Sequence, residues 1–135
     1  MARRYFTPSE ANELLAEVRP LAEALVEHRR LMRLAAERRA RLTTRIAGNG
    51  GDLDPGDFRE DAEQFEQESQ AVAQAAEALQ RLGLLVKDLD AGLVDFPALH
   101  EGEEVLLCWQ VGEDEVAHWH GVDEGFAGRK PLPFD

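Results

Sequence analysis

Val86-Lys87-Asp88-Leu89-Asp90-Ala91-Gly92-Leu93-Val94-Asp95-Phe96-Pro97 is the stretch on which the fold turns. Two short runs rich in Val, Leu and Phe flank Asp-Ala-Gly, the pattern of two strands about a tight turn, whereas everything before Gly83 has helical spacing. Taking Ala91-Gly92 as a two-residue turn sets Asp90 against Leu93 and Asp88 against Asp95 on one face. Lys87 then points to the other face. Downstream, Glu104 to Val111 and Val116 to His120 read as two more strands about Gly112-Glu113-Asp114-Glu115. Residues 84–120 are therefore expected to form a four-stranded antiparallel meander, and 121–135, with three glycines and two prolines, an irregular tail.

Upstream, Thr7-Pro8-Ser9-Glu10 offers a hydroxyl cap, a proline at the first helical position and a glutamate at the third, which together form a capping box. Leu14, Val18, Leu21, Leu25, Met32, Ala35, Leu42 and Ile46 follow at spacings of four and three, with His28 and Arg39 filling the gaps. The spacing predicts a helix over 8–47, bent near Glu17 by Pro20 and stopped at Gly48-Asn49-Gly50-Gly51. Asp54-Pro55 opens a second helix, over 54–82, with a seam of Phe58, Ala62, Phe65, Ser69, Val72, Ala76 and Leu79. So short a connection makes the two helices antiparallel. The fold class is thus α+β: one domain, a long helical hairpin followed by a small antiparallel sheet.

Charge follows the same plan. Seven arginines lie between Arg29 and Arg45 against one acid, while eight acids lie between Asp52 and Glu68 against one arginine. Antiparallel pairing lays these blocks side by side, so the arginines read as partners of the second helix rather than as a polyanion patch. A net charge of −12 argues against nucleic acid and anionic membranes as partners. No apolar run approaches the roughly 18 residues of a membrane span, and no leader pattern opens the chain, so a cytoplasmic location is expected. A single cysteine excludes an internal disulfide and a zinc-thiolate cluster.

Phe-Thr-Pro-Ser-Glu-Ala-Asn at 6–12, Val86 to Pro97, Leu-Cys-Trp at 107–109, Trp-His at 119–120 and Gly-Phe-Ala-Gly-Arg at 125–129 carry a resemblance. In these residues the chain resembles a bacterial family known as domain of unknown function 2203. The likeness spans nearly the whole chain and is most specific between Lys87 and Pro97. It implies a bacterial cytoplasmic protein and assigns no catalytic residue.

The chemistry must then come from the residues themselves. Like charges opposite each other in a ladder repel, so the Asp88/Asp95 pair calls for a cation. Lys87, Arg129 or a divalent ion could supply it. His118 and His120, two apart on a strand, share a face. If that face is the aspartates', then Asp88, Asp95, His118 and His120 make a first shell suited to zinc, iron, manganese or nickel. The plainer reading has the aspartates capping turns and pairing with Lys87 or Arg129. Glycines flanking Arg129 make it a candidate anion-binding residue for a small-molecule ligand. Cys108, within Leu-Leu-Cys-Trp, reads as core packing, and His28 as a satisfied seam residue. The alternative to a metal protein is a non-enzymatic helical hairpin that self-associates. Large apolar side chains on both faces of the sheet lead to the expectation of a homodimer, unless the tail covers the second face.

Leu25→Asp, which puts a lone charge in the helical seam, is expected to destabilise the domain by about 3–5 kcal/mol. A denaturant midpoint equal to that of the wild type would refute the seam.

Overall fold

The computed structural model describes residues 3–49 and 55–134, with the side chains of 45–49, 55, 57 and 58 left aside. Helix α1 (Pro8–Asn49) and helix α2 (Pro55–Arg81) form the antiparallel hairpin, and a five-stranded antiparallel sheet follows. Its strands are β1 (Leu85–Asp88), β2 (Leu93–His100), β3 (Glu103–Gln110), β4 (His118–Gly121) and β5 (Lys130–Pro131), in sequence order across the sheet.

The capping box forms as the sequence indicates: Thr7 N–H donates to Glu10 Oε1 at 2.9 Å and Glu10 N–H to Thr7 Oγ1 at 3.1 Å. α1 runs on through Gly48 to Asn49, two residues past the expected stop, and Pro20 lies on its exposed side within one continuous helix. The expected turn at 50–53 and the Asp54 cap fall outside the described residues. α2 closes in a Schellman turn, with Leu84 N–H on Leu79 C=O at 3.2 Å and Gly83 N–H on Gln80 C=O at 2.9 Å. That turn sets Gly83 at φ +100°, a conformation that favours glycine. The buried pair Leu79 and Leu84 packs beneath it.

The buried stripe of α1 is Ala11, Leu15, Val18, Ala22 and Leu25, with Leu14 and Leu21 only half-buried. The expected seam shares Val18, Leu25 and, farther along, Ala35 with the buried residues, and otherwise lies beside this stripe. The physical reason is that this half of α1 packs against two surfaces, α2 and the sheet, and so needs a wider apolar face than a pure coiled coil. Farther along, His28 Nδ1 meets Glu68 Oε2 at 2.5 Å and Arg38 meets Asp61 at 3.1 Å. Arg29 and Arg33 turn instead to Asp90 in the β1–β2 turn, at 3.0 and 2.8 Å.

Val94, Phe96, Ala98, Val105, Leu107 and Trp109 face the helices and complete the core. Two hydrogen-bonded clamps fix α1 to the β3–β4 loop. Asn12 Oδ1 accepts from Val116 N–H at 2.7 Å while its Nδ2 donates to Val116 C=O at 3.2 Å, and Arg19 donates to the carbonyls of Glu113 and Asp114.

β2 extends four residues past Phe96, through Pro97. The Pro97 carbonyl accepts Phe6 N–H at 2.8 Å on the side where β1 has ended, so the missing proline N–H points where no ladder bond was required. The tail is more regular than expected, with a 3-10 turn at Phe126–Gly128 followed by β5. On the face away from the helices, Pro97, Leu106 and Cys108 are buried within the single chain, while Leu99 is exposed. Among the described residues no helix is long and apolar enough to cross a membrane.

Asn12→Ala leaves the Val116 N–H and C=O without their side-chain partner. It is expected to lower stability by about 1–3 kcal/mol with an unchanged denaturant m-value, and a smaller loss by urea titration would show that water replaces the clamp.

Candidate metal centre

The β2–β3 turn is the two residues Glu101-Gly102, at φ 53° and 82°, and it pairs His100 with Glu103. Both central residues of such a turn are left-handed, the arrangement that matches the twist of the flanking strands. Counting outward from it, Asp95 stands directly across from Cys108, and Cys108 in turn across from His118. His120, two residues on from His118, lies on that same outer face, opposite Leu106.

The expected pairing of Asp88 with Asp95 does not form. Asp95 lies across from Leu85, a displacement of three residues in β1, and Asp88 from Leu93, a displacement of two, with the irregularity between Val86 and Asp88. A two-residue Ala91-Gly92 turn would force alanine into the left-handed region. Asp88 instead accepts the N–H groups of Asp90 and Ala91 at 2.8 and 3.2 Å and builds a wider turn, closed by Gly92 at φ +65°. An odd displacement exchanges the two faces. Lys87 therefore projects to the outer face, where its ammonium lies 4.0 Å from Asp95 Oδ2.

Asp95, Cys108 and His120 converge. A carboxylate oxygen, the sulfur and a ring nitrogen all lie within 4.8 Å of one another, and the three residues are 1%, 0% and 3% exposed. His120 Nε2 is 3.2 Å from Asp95 Oδ1, and its Nδ1 is 2.8 Å from Gly121 C=O. Since a carbonyl only accepts, Nδ1 carries the donated proton and Nε2 is aimed at a carboxylate. The contact needs a second proton or another cation between them. The Cys108 sulfur lies within 4.8 Å of the same carboxylate.

His118, though on this face, turns away. Its Nδ1 lies 3.9 Å from Glu113 Oε2, buried and without a hydrogen bond. Arg129 donates from Nη2 to both oxygens of Glu113 at 2.7 Å and lies over the Phe126 ring at 4.6 Å. The anion it holds is one of the chain's own carboxylates. Of the four residues expected as ligands, the structure brings together Asp95 and His120 and leaves out Asp88 and His118. Cys108 joins them in place of core packing alone, and the signal for it was the Glu101-Gly102 turn, from which its position opposite Asp95 can be counted.

Residues 4–132 match the sequence profile of a family described as an uncharacterized conserved protein, DUF2203. The chain belongs to this family. No curated protein and no solved structure matches this DUF2203 chain.

Burial pushes the Cys108 thiol up from 9.0 to about 12, with the Asp95 carboxylate adding to the rise and Arg129 opposing it. A buried, protonated thiol is a poor nucleophile, which argues against cysteine catalysis in the metal-free chain. Because folding raises this pKa, the stabilisation is complete while both states keep the proton and is lost as pH climbs from 9.0 toward about 12. Wild-type stability should therefore fall more steeply over that range than that of Cys108→Ala. Parallel pH–stability curves for the two proteins would contradict the raised pKa.

Proposed function

We propose that Asp95, Cys108 and His120 bind a divalent transition-metal ion of the zinc class. The observation that carries this reading is the convergence of three buried donor groups at Asp95. These groups, of three different types, lie within 4.8 Å of one another, with His120 Nε2 aimed at Asp95 Oδ1 at 3.2 Å. A divalent ion that displaces the Cys108 thiol proton is balanced by the thiolate and the Asp95 carboxylate, so the filled site carries no net charge in a buried place. The Nδ1 contact to Gly121 C=O is the second-shell bond that orients a ligating imidazole and leaves Nε2 for metal.

Zinc sits about 2.0–2.3 Å from such ligands, which implies ligand separations of about 3.3–3.8 Å. The His120–Asp95 contact is already 3.2 Å, and the widest gap of the three is within 4.8 Å. The soft sulfur favours zinc, iron or nickel over manganese, magnesium or calcium. Three protein ligands are one short of a closed tetrahedral set, which is the pattern of sites that take a further ligand.

Protein purified without a histidine tag should retain about one equivalent of metal after dialysis, or take up zinc to that stoichiometry. Metal at a hundredfold excess over Kd should add about 3 kcal/mol to stability, and chelator should remove it. The cobalt(II) form should show a sulfur-to-cobalt charge-transfer band that is absent in Cys108→Ser. Asp88→Asn and His118→Ala, which lie outside the cluster, should bind as wild type does. A chain that takes up no metal and melts identically with chelator overturns the proposal, and loss of binding in Asp88→Asn or His118→Ala would point to a different ligand set.

A further inference from the structure

Beside the three proposed ligands opens a cavity of about 90 Å³, with Asp95 and His120 on its lining together with Lys87, Leu93, Glu124 and Phe126. That is room for several waters, or for a ligand of a few non-hydrogen atoms. Its charges are unequally engaged. Glu124 is held by Gly121 N–H at 2.8 Å and by Lys130 Nζ at 2.7 Å. The Lys87 ammonium makes no hydrogen bond among the described residues, its nearest acidic oxygen being Asp95 Oδ2 at 4.0 Å.

Resting on the metal reading above, we infer that this cavity is a subsite for a small monocarboxylate, bound between the metal and Lys87. A divalent ion, a thiolate and an aspartate sum to zero, and Lys87 adds one positive charge, so the filled centre attracts a monoanion. The ion offers a position for one carboxylate oxygen, and the lysine offers donors for the other. Leu93 and Phe126 are apolar walls against which a short hydrocarbon chain can lie. Lys87 reaches this side only because β1 is displaced by three residues from the simple hairpin register.

The test uses the cobalt(II) form of the full chain, titrated with sodium acetate and sodium propionate, with chloride and inorganic phosphate for comparison. Both carboxylates should change the visible cobalt spectrum saturably. Lys87→Met should weaken that response about tenfold or more while holding the same cobalt equivalent, and Lys87→Arg should restore part of it. Cobalt bound through sulfur with no saturable carboxylate response overturns the subsite and leaves the metal centre standing. An equal response in Lys87→Met removes the lysine's part and with it the inference. A response to phosphate alone overturns the carboxylate class, and failure to bind cobalt at all overturns the metal centre and the subsite together.

Discussion

The two-residue turn at Glu101-Gly102 is the constraint on which the rest of the sheet depends. A two-residue loop admits only one pairing of β2 with β3, and that pairing assigns every side chain of both strands to a face. Phe96, Leu107 and Trp109 go toward the helices, and Asp95 and Cys108 go outward together. Shifting the register by a single residue would bury Asp95 among the helices and move Trp109 off the core. The apolar pattern and the turn geometry specify the same answer, and such agreement between local and global preferences gives a chain one structure.

The helices are fitted to that sheet by contacts of two kinds. Apolar burial along Ala11, Leu15, Val18, Ala22 and Leu25 supplies most of the attraction but little direction. Direction comes from the polar clamps: Asn12 on Val116, Arg19 on Glu113 and Asp114, and the Trp109 indole N–H on Glu113 C=O at 3.0 Å. The first two hold the β3–β4 loop against α1, and the third ties that loop to β3. Glu113 also receives Arg129, so the same loop anchors the tail segment that lies over Asp95 and His120. The outer cluster is thereby tied to the first helix through the β3–β4 loop.

Much of this was legible in the residues. Thr7 and Glu10 announce the helix start, the spacing of apolar residues announces two helices, and the alternation after Gly83 announces antiparallel strands. What could not be read is the register of β1, because Asp88 can face a partner strand or cap a turn, and its choice depends on a backbone that the side chains do not display. That one ambiguity removed Asp88 from the cluster and reversed the face of Lys87. Cys108 escaped notice for a different reason: a cysteine between leucine and tryptophan looks the same whether its sulfur meets hydrocarbon or a carboxylate. His118 shows that sharing a face does not ensure convergence, since its ring turns to Glu113 while His120 reaches Asp95.

The last strand has a consequence of its own. β5 is two residues long, and those residues are a lysine and a proline at the border of the sheet. A neighbouring copy seeking to extend the sheet would find too short a template, one backbone donor missing and a charge beside it, the features by which β-proteins discourage edge-to-edge polymerisation. The irregular tail thus acts as a stopper: it closes an open ladder that would otherwise invite amyloid-like growth.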